Sequence, residues 1–306
     1  MNKALITGGA GFIGSNLAEK LIEQGVEVII YDNLFLGDEK NIPEEAEFVK
    51  GTVLDSYKLQ EQLGDVDTVF HFAAHSNSLM HKDHPAKSAR VNIEGFITVV
   101  EAAIIRNVDK IVYASTSSVY GDQDTPYKET GNEKPVNRYA ASKKAREEYA
   151  KRYSDELNIT GLRYFSVYGG NEKHKENYAN IITQFTWAMK QGNRPVIWGD
   201  GSQQRDFIHV KDAVEATLRA SQKKDSLNGE VINVGTGKAT NFNTVVKTIN
   251  KHLDKQEEII PIYKEDRQPE NYVLKHRADT EKMEKLLKFK PETSVEKGIE
   301  KVVKNE

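Results

Sequence analysis

With 306 residues and a formal charge of −3 from 43 basic and 46 acidic side chains, the chain suits one large domain or two. That charge balance excludes a nucleic-acid binder driven by phosphate attraction. The absence of cysteine excludes disulfides, thiolate metal sites and a cysteine nucleophile. A mean hydropathy of −0.62 and the lack of an apolar run near about 20 residues exclude a transmembrane helix. The first residues, Met1 to Thr7, enter strand-like sequence without the apolar core of a signal peptide, so a soluble, cytoplasmic protein is expected.

In chain order, β-rich runs at Lys3–Thr7, Val26–Tyr31, Phe48–Lys50, Thr68–Phe72 and Lys110–Ser115 alternate with helical patterns at Phe12–Gln24, Ala86–Arg106 and Tyr139–Glu156. Val26–Tyr31 and Thr68–Phe72 are short, mostly apolar and β-branched or aromatic, as strands covered on both faces are. The alternation predicts an α/β fold, a doubly wound parallel (Rossmann) sheet with right-handed crossovers. After Ser166 the rhythm loosens, and a smaller C-terminal substrate-binding lobe is expected. Residues 1–165 read as the dinucleotide-binding domain, to which the chain returns near 205–235, and 166–306 mainly as the lobe. Thr280–Lys288 and Ser294–Lys304 read as solvated amphipathic helices.

Between the first strand and helix lies Thr7-Gly8-Gly9-Ala10-Gly11-Phe12-Ile13-Gly14. A glycine triplet alone is a weak signal, but here the strand before it and the helix after it are the required context. Gly8 suits the sharp turn, Gly11 a close approach to a pyrophosphate, and Gly14 tight packing of helix on sheet. The helix offers its unpaired N–H groups to the anion, and Gly25 suits its C-terminal cap. Asp32 ends the next strand, where a carboxylate accepts ribose hydroxyls and repels a 2′-phosphate, so NAD is expected rather than NADP.

Tyr139 and Lys143 stand four residues apart in a helical stretch and share one face. On their own such pairs are ordinary surface packing. What distinguishes this one is the hydroxyl-rich segment Ser115-Thr116-Ser117-Ser118-Val119-Tyr120-Gly121, at the carboxyl end of the fifth strand, where open α/β sheets place their sites. A phenol is a poor base near neutral pH, and a neighbouring ammonium favours its ionised form.

With these motifs the sequence resembles the extended short-chain dehydrogenase/reductase family, in its NAD-dependent nucleotide-sugar epimerase and dehydratase branch, over essentially the whole chain. The resemblance implies that Thr116, Tyr139 and Lys143 are catalytic. It also implies that Phe12, Ile13, Asn33, Phe72, Ala73, Ala74, Asn92 and Tyr164 join the glycines, Asp32, Tyr139 and Lys143 around the cofactor. For a nucleotide sugar it points to Ser166, Asn177, Val196, Trp198, Arg205, Arg267 and Glu270. Trp198 suits stacking on a base, and Arg205 and Arg267 suit a diphosphate clamp. Two departures stand out. Ser166 replaces the family's frequent asparagine, and Thr52 holds the place of an acid that contacts adenine, with Asp55 as a substitute.

Dehydratases of this branch usually carry Asp-Glu after the catalytic hydroxyl, and decarboxylating relatives a glutamate nearby; this chain has Ser117-Ser118. Epimerisation is therefore expected, and the resemblance is greatest to the UDP-glucose 4-epimerases, with a UDP-hexose substrate and a homodimer built from two helices per subunit. Two alternatives stay open. The run from Tyr164 to Lys175 also resembles ADP-heptose 6-epimerases, in which a lysine such as Lys175 serves as a second base, and a non-catalytic NAD-bound regulatory protein would share the fold. The pairs His71/His75 and His81/His84 have metal-like spacing but no third ligand cluster, so no metal is expected.

Overall fold

The computed structural model describes residues 1–223, 227–253, 255–265 and 273–305. Its strands are β1 (Lys3–Thr7), β2 (Glu27–Asp32), β3 (Glu47–Lys50), β4 (Thr68–His71), β5 (Lys110–Thr116), β6 (Asn158–Tyr164), β7 (Ser166–Tyr168), β8 (Val196–Trp198), β9 (Gln204–His209), β10 (Val231–Val234), β11 (Ala239–Asn241) and β12 (Ile262–Lys264). The helices are α1 (Phe12–Glu23), α2 (Ser56–Gln62), α3 (Ser78–Asp83), α4 (Pro85–Ala89), α5 (Gly95–Ile105), α6 (Arg138–Tyr153), α7 (Ile181–Lys190), α8 (Val210–Gln222), α9 (Phe242–His252), α10 (Glu281–Leu287) and α11 (Val295–Asn305).

Seven strands form a parallel sheet in the order β10-β6-β5-β4-β1-β2-β3. The period-2 geometry of a strand sends alternate residues to opposite faces, and the core follows it. Ala4, Ile6, Val28 and Ile30 pack with Leu17 and Leu21 of α1 and Val214 of α8. Leu5, Ile29 and Tyr31 pack with Leu59 of α2, Val99 and Val100 of α5 and Ala150 of α6. The sheet is thus covered on both sides, the doubly wound α/β arrangement. Chain order reverses between β1 and β4, and the carboxyl ends of these strands, at Thr7 beside His71, open the crevice in which such sheets bind ligands.

α1 ends in a Schellman turn: Gly25, at φ +76°, donates to the Ile22 carbonyl and Val26 to Leu21. The stretch expected as one helix over 86–106 is instead α4, a π-helical turn at Arg90–Glu94 and α5. The wider turn carries Asn92 into the protein, where it is 0% exposed.

After β6 a second group of elements gathers. β11, β9 and β7 form one small sheet and β12 and β8 another. α7, α9 and α11 enclose a separate core with Ile182, Phe185, Phe207, Val245, Ile249, Ile299 and Val302. α10 and α11, expected as solvated amphipathic helices, expose their charged faces and bury Met283, Leu287, Ile299 and Val302.

Candidate active site

A cleft of ≈ 380 Å³ lies along the carboxyl ends of β1, β2, β4, β5 and β6. At its floor Gly8 adopts φ +73°, and a Cβ there would meet Ala73 N at 2.6 Å. A Cβ on Gly14 would sit 2.4 Å from the Gly8 carbonyl oxygen, whereas one on Gly11 meets only that oxygen, at 3.2 Å. Gly11 is the N-cap of α1 and supplies no side-chain acceptor, so the helix N-terminus, at Phe12 to Gly14, faces the cleft with its first donors uncapped. Asp32 is 7% exposed. Its Oδ1 accepts from Leu34 N at 2.8 Å and its Oδ2 from Ala10 N at 3.1 Å. Burial raises its pKa while these backbone donors lower it. An uncapped helix end, a cradle with no room for a Cβ at Gly8 or Gly14 and a buried carboxylate acceptor at the adjoining strand end are the groups that a dinucleotide requires.

At the other end of the cleft Thr116 closes β5, its Oγ1 accepting from Ser118 N at 3.2 Å. The Asn137 side chain caps α6 by accepting from Ala140 N at 2.9 Å, which sets half-buried Tyr139 in the first turn. Burial pushes the Tyr139 phenol up; a hydrogen bond with the Thr116 side chain and the charge of Arg146 pull it down. Lys143 is 2% exposed and donates to the Ala114 carbonyl at 2.9 Å. Burial takes its pKa well below the usual amine range, Arg146 adds to that, and Glu147 opposes it. Hydroxyl, phenol and amine thus converge where β5 meets α6.

Of the residues expected around a cofactor, Gly8, Gly11, Phe12, Ile13, Gly14, Asp32, Asn33, Phe72, Ala73, Ala74, Tyr139, Lys143 and Tyr164 line the cleft. Asn92 does not. Its side chain instead bonds His75 N at 2.8 Å, the His75 carbonyl at 3.1 Å and Ser142 Oγ at 3.0 Å, and it reaches His81 Nε2 at 3.0 Å, so it orients groups behind the site. Ser166 lines the cleft. Asn177 is exposed and does not line it; in this segment the asparagine that does is Asn180, whose side chain caps α7 through Ile182 N and donates to the Val167 carbonyl. A helix-start rule applied to Asn180-Ile181-Ile182 would have identified it. Val196, Trp198 and Arg205 stand on β8 and β9 outside the cleft, with Trp198 46% exposed under the Lys264 ammonium. Arg267 and Glu270 lie outside the described residues. Thr52 lines the cleft, but Asp55 caps α2 through Lys58 N and does not.

Sequence reasoning missed Phe35 among the cleft residues, whereas His75 and Lys175 were expected there only as a loop residue over the cofactor and as the second base of the heptose reading. Phe35 stacks on His75 at 4.9 Å across the two walls. Lys175 lines the cleft with its Nζ 2.6 Å from buried Glu172. Behind β5, Glu147 accepts from Ser115 Oγ at 2.6 Å and pairs with Arg163 at 2.7 Å, contacts between distant segments that no local pattern announces. The histidines near the cleft are held neutral by burial, His75 down to about 4 and His71 well below its usual range. Among the described residues no three metal-ligating side chains gather, and no helix is long and apolar enough to cross a membrane.

Comparison with known proteins gives this geometry its setting. The sequence model of the NAD dependent epimerase/dehydratase family matches residues 4–235. A Methanocaldococcus jannaschii protein, named provisionally as a UDP-glucose 4-epimerase, is 38% identical over 98% of this chain and 96% of its own. A UDP-N-acetyl-alpha-D-glucosaminuronate decarboxylase of Bacillus cytotoxicus is 32% identical over 98% of this chain and 96% of its own. The crystal structure of a Thermotoga maritima UDP-glucose 4-epimerase with UDP-glucose superposes with a TM-score of 0.92 at 34% identity, over 99% of this chain and 97% of that one. The chain belongs to the NAD dependent epimerase/dehydratase family and is an enzyme whose cofactor is NAD.

Proposed function

We propose that the protein is a UDP-hexose 4-epimerase, interconverting UDP-glucose and UDP-galactose by transient oxidation to a keto-sugar and re-reduction on its opposite face. The observation that carries this reading is the convergence of Thr116, Tyr139 and Lys143 on the cleft, with Ser117 and Ser118 following where elimination chemistry would need an acid and a base. Bound NAD supplies the acceptor and donor of hydride. Thr116 holds the sugar oxygen, and Tyr139 Oη takes its proton and returns it. Lys143 stabilises the phenolate when it carries its proton. The reading includes a cytoplasmic homodimer, on the resemblance alone.

One observation favours a second reading: Lys175 lines the same cleft, as a second proton-transfer group of heptose 6-epimerisation would. Purified protein given UDP-galactose should form UDP-glucose, and the reverse, without added reductant. Turnover of an ADP-heptose with neither UDP-hexose converted would select the second reading.

A further inference from the structure

Two arginines are buried beside the catalytic helix, and the fold treats them differently. Arg163, on β6, is neutralised by Glu147 and Glu133. Arg146, one turn after Lys143 on α6, is 0% exposed, and among the described residues no carboxylate pairs with it. Its Nη2 donates to the Ala73 carbonyl at 3.1 Å, its Nε to the Asn92 carbonyl, and its guanidinium lies 5.7 Å from the Phe96 ring. Ala73 belongs to the wall of the cofactor cleft, and Asn92 holds the His75 loop and Ser142. An uncompensated buried charge is costly, so its retention calls for a use that an apolar side chain could not serve.

The titratable groups around it are few. β4 presents His71, β5 presents Tyr113, and α3 presents His81, whose ring stands edge-on to Tyr139 at 5.6 Å. α6 itself carries Tyr139, Lys143 and Glu147, and β6 adds Arg163 with its own carboxylates. Burial lowers both histidines, His71 well below its usual range, and depresses Lys143. Arg146 is lowered only to about 10 and so keeps its charge near neutral pH.

We propose that Arg146 is a positioning residue for the Tyr139–Lys143 pair: it fastens α6 to the cofactor turn at Ala73 and supplies a fixed positive charge beside the Tyr139 phenol. The proposal rests on Tyr139 acting as the base. A fixed cation favours the phenolate of Tyr139 and disfavours the ammonium of Lys143, so its removal moves both titrations in the same, alkaline, direction.

The test is a phenolate absorbance titration of the NAD-loaded enzyme, taking the difference between the parent and Tyr139→Phe, and again between Arg146→Gln and the double variant. In Arg146→Gln the Tyr139 midpoint should rise by about one pH unit, the pH dependence of kcat should move alkaline with it, and Arg146→Lys should keep the parent's midpoint. Arg146→Met, which fills similar volume without charge, serves if the Gln variant does not fold. A charge-free variant with lowered stability and an unmoved midpoint would overturn the proposal. So would a parent phenol that stays protonated throughout the folded range. Failure of the parent to convert either UDP-hexose would end the substrate reading and leave this titration to decide on Arg146.

Discussion

In the proposed mechanism Tyr139 contributes a hydroxyl to the chemistry and a ring to the packing, and the two can be separated by substitution. Tyr139→Phe removes only the Oη bonded with Thr116, so turnover should fall by about 10²–10⁴-fold while NAD affinity, measured by calorimetry, stays at the parent's value. Near-parental turnover would remove Tyr139 from the role of base. For cofactor choice the proposed residue is Asp32, whose buried carboxylate lines the cleft. The parent should therefore bind NAD well and NADP poorly, and Asp32→Asn should narrow that gap in paired titrations. Equal affinity of the parent for both would contradict the assignment. At this scale the sequence was most informative where a residue type answers a local geometric need, as Gly8 and Gly14 do. It was least informative where several candidates lie close together. Asn177 and Asn180 differ by three positions, and of the two only Asn180, at the start of α7, lines the cleft. Asp55 looked available for adenine until α2 claimed it as a cap.

The junction of β1 and α1 depends on an absence of side chains. A Cβ on Gly14 would stand 2.4 Å from the Gly8 carbonyl oxygen and 2.8 Å from the Gly9 Cα, both backbone atoms with no freedom to yield. Gly14→Ala should cost about 1–3 kcal/mol, the usual penalty of overpacking, and should weaken NAD binding by displacing the uncapped helix end. Thermal melting with and without NAD checks both effects, and a variant matching the parent in each would show that the turn has slack. Strands β1 to β5 of the first sheet and helices α1, α5 and α6 were legible because strand and helix differ in hydrophobic pattern and each is several residues long. β7, β8, β11 and β12 have three residues each, too few to show a period, and they pair with segments far away in the chain. The π turn at Arg90–Glu94 was hidden for another reason: its composition is helical, and only the pull of Asn92 toward His75 and Ser142 marks it.

Across the whole molecule, buried histidines couple folding to pH. Burial holds His75 and His209 down to about 4 and His276 to about 3, against about 6.5 in an unfolded chain. Between these values the unfolded chain binds protons that the folded chain refuses. Their contribution to stability is complete above about pH 6.5 and is lost as pH falls toward about 4. Buried Asp206, raised by its own burial, works in the opposite sense, so the informative comparison is with His276→Gln. Its melting temperature should depend less steeply on pH across that interval than the parent's, and identical slopes would show that His276 takes up no proton on unfolding. The doubly wound parallel sheet followed from strand–helix alternation, and its binding turn from one run of glycines; the strand order and the crevice between β1 and β4 came from the structure. The placement of Trp198 and Arg205 outside the cleft did not, since it depends on how β8 and β9 fold back.

The most direct measurement is to run the conversion of UDP-galactose in deuterium oxide. When hydride is returned to the carbon it left, and Tyr139 moves only the hydroxyl proton, UDP-glucose should form without added reductant and carry no carbon-bound deuterium. Deuterium at the inverted carbon would contradict the hydride route, and conversion of neither UDP-hexose would contradict the substrate.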